Sequence, residues 1–128
     1  MSPADHRHFL AAQGWLELGD WQSADKELEE LTPQQRAHPG VLNLRIELYS
    51  TAKRWDRAAE VANTLFRMFP DEPFGYIRLA FALHELKRTQ EALNVLLPAA
   101  AKFPANWLIP YNLACYCCQL GDAVGARD

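Results

Sequence analysis

Apolar side chains recur three and four positions apart in four stretches: RHFLAAQGWLEL (7–18), VLNLRIELY (41–49), YIRLAFALHEL (76–86) and YNLACYCCQL (111–120). That spacing puts them on one face of an α-helix. A polar pair predicts a turn after each: GD at 19–20, KR at 53–54, KR at 87–88 and GD at 121–122. A second helical pattern follows in SADKELEEL, RAAEVANTLFRMF and QEALNVLLPAAAKF. Pro39, Pro70 with Pro73, and Pro104 are expected to stop these segments, because proline lacks an amide donor and clashes with the preceding turn. No segment alternates with a period of two over a strand length. The pattern therefore reads as all-α, in antiparallel helix pairs.

The pairs repeat. Ala24, Ala58, Ala92 and Ala126 stand 34 residues apart, and Trp21, Trp55, Thr89 and Ala123 keep that interval three places earlier. Pro70 and Pro104 share it, as do Leu79 and Leu113. Two helices joined by a tight turn approach closely only where one of them presents little bulk. An alanine early in the second helix supplies that notch, and the aromatic three residues before it is placed to cover the crevice beside the turn. Interiors pack near crystal density, so a larger group at the notch would be felt.

A 34-residue helix–turn–helix unit with this aromatic, alanine and proline skeleton resembles the tetratricopeptide (TPR) family. Units then begin at Asp5, Pro39, Pro73 and Trp107, spanning about 5–38, 39–72, 73–106 and an incomplete 107–128 within one domain of 1–128. The family's small position in the first helix holds Ala12, Ala80 and Ala114, with Ile46 departing from it. Its aromatic position holds Trp15 and Tyr49, then Leu83 and Cys117. The later small or apolar position of the second helix holds Leu28, Ala62 and Leu96. The resemblance implies a right-handed α-solenoid of three full units plus the first helix of a fourth. It also implies a non-catalytic scaffold that binds a peptide or partner protein in a concave groove.

The family's groove-facing positions fall on one stripe of each first helix, as their three- and four-residue spacing requires. Carried over, they give Phe9 and Gln13 in the first unit, and Asn43 and Glu47 in the second. The third gives Phe74, Ile77 and Phe81, and the fourth gives Tyr111 and Cys115. Some family members hold a C-terminal carboxylate with a clamp of lysines, asparagines and an arginine. The matching positions here are Phe9, Gln13, Leu44, Phe74 and Arg78, and only Arg78 agrees. Phe74, Ile77, Phe81 and Tyr111 are the expected anchors for an extended or helical peptide. The alternative is self-assembly through the apolar last helix, with Trp107 and Tyr116 at its surface.

Local departures have local causes. Thr32, Pro33 and Gln35 match a capping box, so a short helical turn is expected near 33–37. Pro98 predicts a kink in its helix. Pro110 falls in a first turn, where amides have no partner within the helix. Gly14 implies either a close neighbour or simple tolerance.

Composition then narrows the chemistry. The 128 residues are 49% hydrophobic and 23% charged, with a net charge of −3. Residues 1–40 hold seven acids against three bases, and Glu27 to Glu30 read as a solvated acidic face. No concentrated basic face favours nucleic acid, no apolar run is long enough for a bilayer, and MSPADHRHFL lacks the pattern of a secretory signal. Three cysteines within four positions suit a reducing cytoplasm rather than a disulfide framework. Cys115 and Cys118 form a CxxC without the second ligand pair of a zinc site, and all three thiols read as small buried hydrophobes. His6 and His8 point apart on a helix, while His38 and His84 stand alone, so the histidines read as surface residues without a metal. No phosphate loop, GxSxG or HExxH occurs. No cofactor and no enzymatic activity are expected.

If the alanine notch closes each hairpin, Ala58→Leu should lower stability by about 1–3 kcal/mol through overpacking. A thermal melt of the variant beside wild type reads this directly.

Overall fold

A computed structural model describes residues 2–125, with side chains described to residue 121. The helices are α1 (Pro3–Glu17), α2 (Trp21–Glu29), α3 (Pro33–Arg36), α4 (Pro39–Thr51), α5 (Trp55–Met68), α6 (Pro73–Glu85), α7 (Thr89–Lys102) and α8 (Leu108–Gly125). No strand occurs among the described residues. The helices pack as two compact units, Met1–Val61 and Ala62–Asp128, whose boundary falls within α5. In the first unit α1 packs on α2, and α4 packs on both and on α3; in the second, α7 packs between α6 and α8.

Helix starts are written in the sequence. Pro3, Pro33, Pro39 and Pro73 occupy the first turns of α1, α3, α4 and α6, where a missing amide proton leaves nothing unsatisfied. Pro39, expected as a stop, is thus the first residue of the next helix. Ser2 caps α1 by accepting from the Asp5 amide (3.1 Å), and Asp20 caps α2 by accepting from the Ser23 amide (3.0 Å). This amide, with the Ser23 hydroxyl, holds the Asp20 carboxyl below the usual carboxylate range. His38 is a cap as well: its Nδ1 accepts from the Gly40 amide (3.0 Å).

Three helix ends close in the same way. Gly19, Lys53 and Lys87, each 34 residues after the last, adopt the left-handed conformation with φ of 80°, 58° and 65°. The Gly19 amide donates to the Leu16 carbonyl and the Asp20 amide to Trp15, both at 2.9 Å. The Lys53 and Arg54 amides donate likewise to Ser50 (3.0 Å) and Tyr49 (2.8 Å), and those of Lys87 and Arg88 to His84 (3.0 Å) and Leu83 (2.9 Å). Each is a Schellman motif, which satisfies carbonyls that the helix end would otherwise orphan.

The notch alanines are buried as expected: Ala24, Ala58 and Ala92 are wholly inaccessible to solvent, as are Ala12, Ala62 and Ala80. Leu28, Val41, Ile46 and Leu48 fill the core of the first unit, and Leu96 and Ile109 that of the second. Ile46 thus occupies a small-residue position without being expelled from the interior. Trp21 does more than cover its own turn. Its ring meets Tyr49 edge-on at 6.2 Å, and the Arg54 guanidinium lies 5.5 Å from its centroid. Ala126 lies outside the described residues, and Ala123 outside the described side chains.

Several expectations need correction. The turn at 121–122 does not form, and α8 runs through it to Gly125. The short helix at 33–36 forms without its capping box, because the Thr32 hydroxyl and amide turn instead toward the buried Asp5 carboxylate (3.5 and 3.3 Å). Ala114 and Cys117, placed in the core by the family pattern, are exposed on α8, because no described element packs over that face. Trp15 is also exposed. Pro98 lies on the exposed side of α7, inside a helix that extends from Thr89 to Lys102.

Two glycines mark opposite situations. A β-carbon on Gly14 would meet no atom within 4 Å, so that glycine is tolerated rather than required. One on Gly75 would lie 2.6 Å from the Phe66 Cα and 2.7 Å from its nitrogen, where α6 crosses the backbone of α5. Gly14→Ala should therefore raise stability by about 1 kcal/mol. Gly75→Ala should lower it by about 1–3 kcal/mol, since backbone must shift to admit the methyl group. Urea denaturation midpoints moving in opposite directions check the pair.

Candidate functional site

The apolar hollow of the second unit is built from one stripe of α6. Phe74, Ile77, Arg78 and Phe81 follow the three- and four-residue spacing of a helical face, and Asn106, Leu108 and Asn112 close the opposite wall. The space is about 450 Å³. Ile77 forms a buried floor, while Phe74 and Phe81 stand 54% and 43% exposed at its two ends. Solvent contact by two large aromatics within two turns is a concentrated apolar patch, not scattered surface hydrophobicity. Arg78 is exposed and enters none of the ion pairs among the described residues. Asn106 fixes the rim, because its Oδ1 accepts from the Leu108 amide (3.1 Å) and so starts α8.

A second hollow, of about 360 Å³, lies in the first unit between α1 and α4. Gln13, Leu16, Glu17, Leu44, Glu47 and Thr51 line it, giving two carboxylates and no cation. Of the residues singled out in the sequence, Phe74, Ile77, Arg78 and Phe81 share the first hollow, and Gln13 and Glu47 share the second. Phe9, Asn43, Tyr111 and Cys115 line neither. Asn112 was missed although the repeat could have found it: Leu44, Arg78 and Asn112 occupy one register, 34 residues apart. Asn106 carries no such signal, since it lies in the loop before α8.

The acidic run of the first unit is largely paired within the unit. Glu27 meets the Nδ1 of His8 at 2.8 Å. Glu29 receives Arg36 at 3.1 Å and also Arg45, whose guanidinium is the main cause holding the Glu29 carboxyl below its ordinary range. Arg45 reaches Asp25 at 3.8 Å, and the Tyr49 hydroxyl donates to Asp25 at 3.0 Å. Burial, followed by the Asp25 charge, pushes the Tyr49 phenol up. Histidines expected to be idle are engaged too: besides His8 and His38, His84 places Nδ1 3.0 Å from the Thr89 hydroxyl. Among the described residues no three potential ligands gather to hold a metal.

The last helix overturns one expectation outright. Cys115, Cys117 and Cys118 are all exposed thiols rather than small buried hydrophobes. Tyr116 does the reverse. Its side chain, proposed above for a surface role, is 3% exposed and lies 4.8 Å from the His84 ring. Its buried hydroxyl finds no hydrogen-bond partner among the described residues.

This architecture is that of TPR domains. The first TPR of Spaghetti (RPAP3), solved bound to the HSP90 peptide SRMEEVD, superposes with a TM-score of 0.78 at 16% identity, covering 94% of this chain and 96% of that one. The Sgt2 TPR domain from Aspergillus fumigatus gives 0.81 at 15%, covering 99% and 85%. The second TPR domain of human RPAP3, in complex with the HSP70 peptide SGPTIEEVD, gives 0.73 at 14%, covering 88% and 97%. No family model and no curated protein sequence matches the chain. At these identities the likeness is one of fold, and the fold is the TPR helical repeat.

Burial pushes the Tyr116 phenol up to about 12 from an ordinary 10. The unfolded chain then ionises first, so this residue's support is complete below pH 10 and is lost as the pH rises through about 12. Tyr116→Phe should flatten that alkaline loss. It should also raise stability at neutral pH by about 1 kcal/mol, since it removes an unsatisfied buried hydroxyl. Melting curves from pH 7 to the alkaline limit, run on both proteins, test both statements.

Proposed function

We propose that this chain is a non-catalytic interaction module that seats a peptide or partner-protein segment in the hollow between α6 and α8. The observation that carries the reading is the pair of half-exposed rings, Phe74 and Phe81, at the ends of an apolar floor. A few residues that become fully desolvated in a pocket carry most of the binding energy in protein interfaces, and large aromatics are suited to that role. The TPR domains of similar fold whose structures hold HSP90 and HSP70 peptides support the class of function. The identity of those peptides does not carry over, because of the clamp positions only Arg78 matches. A cytoplasmic setting, which keeps exposed thiols reduced, suits the same reading.

Self-assembly is a second reading, favoured by Trp107 (74% exposed) and Tyr111 (61%) on a segment without a charged residue from Trp107 to Gly121. Light scattering over a dilution series separates the two. A constant monomer mass removes self-assembly.

Phe81→Glu puts a carboxylate at the rim of the hollow, on a side chain that is 43% exposed. It should leave the helical circular dichroism spectrum unchanged. It should also weaken any peptide recovered by display selection on wild type by about 2 kcal/mol or more. Undiminished affinity in the folded variant would move the binding surface elsewhere.

A further inference from the structure

The polar groups around the hollow are weighted toward donors. Its lining holds one cation, Arg78, and two amides, Asn106 and Asn112, and no carboxylate. The guanidinium offers five donors and no acceptor, and no ion pair among the described residues engages it. The Asn106 Oδ1 already accepts from the Leu108 amide, which leaves one lone pair and the two donors of its NH₂ group facing a ligand. The Asn112 side chain is half-buried on the same wall. Donors therefore outnumber acceptors around an apolar floor, and the matching ligand is rich in acceptors and carries negative charge.

Geometry narrows this further. Phe74 and Phe81 are two helical turns apart, about 10 Å along α6, with Ile77 and Arg78 between them. One large apolar side chain seated over Ile77 between the rings would stand beside the guanidinium. Only one carboxylate can be matched there. A free C-terminus held by a cluster of cations is poorly served, since Phe9, Gln13, Leu44 and Phe74 occupy the other clamp positions.

We propose that the hollow takes an internal peptide segment bearing a large apolar side chain and, within about one turn of it, a single acidic side chain paired with Arg78. The apolar group supplies affinity, and the charge-assisted bond to Arg78 selects the segment and sets its direction. This inference rests on the hollow being the binding surface.

Two random twelve-residue peptide libraries test it. One is fused through its C-terminus, so that only internal acids are offered; the other is displayed with its C-terminus free. Wild type should enrich apolar–acidic sequences from the first library. Synthetic amidated copies of these should bind about tenfold more weakly after replacement of their acid by the amide, and equally so to Arg78→Gln with the acid intact. That preference should shrink as salt rises. Enrichment without any acid preference, or only from the free-terminus library, overturns the inference and leaves the hollow in place as a binding surface. Peptides that bind a folded Phe81→Glu variant as well as wild type, or enrichment from neither library, overturn the underlying reading itself.

Discussion

Each hairpin depends on a chain reversal in which one residue takes the left-handed conformation and the returning helix presents an alanine to its neighbour. The two requirements are coupled. A Schellman closure fixes the direction in which the second helix leaves, and five residues later Ala24, Ala58 or Ala92 lies wholly out of solvent. Were the turn looser, the alanine would not meet the same surface. Were the alanine larger, the turn could not close as tightly, because packed interiors have no slack to absorb added volume. Lysine accepts the left-handed conformation at two of the three turns despite a cost of roughly 1 kcal/mol relative to glycine. The burial of the following helix must outweigh that strain.

Much of this was legible beforehand because repetition multiplies weak signals. One tryptophan three residues before an alanine means little, whereas a common 34-residue register for alanine, proline and the polar turn pairs identifies helix pairs and their boundaries. The reading failed where a residue's environment depends on a neighbour the register does not specify. Cys117 and Ala114 occupy core positions of the pattern yet face solvent on α8. Thr32 has the spacing of a capping box, but the buried Asp5 carboxylate attracts its amide and hydroxyl across 27 residues. The repeat carries no signal for Gly75, although the α5 backbone passes too near to admit a β-carbon. What lies across from each residue in space, or fails to, decided all of these.

The candidate site divides along the same line. Phe74, Ile77, Arg78 and Phe81 were accessible from sequence because they form one helical stripe, and a stripe is a property of a single element. Asn106 and the first turn of α8 complete the hollow from another part of the chain, and single-helix periodicity has no access to them. The first unit shows the electrostatic counterpart. An acidic run that reads as a uniform solvated face is partitioned in three dimensions, with Glu27 given to His8 and Glu29 shared by Arg36 and Arg45. Screened surface pairs contribute little to stability individually. Their consequence here is for recognition, since a paired carboxylate offers less field to a partner than a free one.

The fourth register shows why a local signal is not enough. Gly121 and Asp122 repeat the dipeptide that reverses the chain at Gly19 and Asp20, and a β-carbon on Gly121 would meet nothing within 4 Å. Glycine there is free to turn, yet α8 continues through it to Gly125. A glycine permits the left-handed conformation but gains little from it alone. The gain comes when the returning helix buries an apolar face, since most helical stability in proteins is tertiary. At Gly19 the return places Ala24 and Leu28 fully inside the first unit. Along α8 the face that would receive a returning helix carries Ala114 and Cys117, which remain exposed. No described element covers that face, and the same two letters yield a turn in one place and a helix in the other.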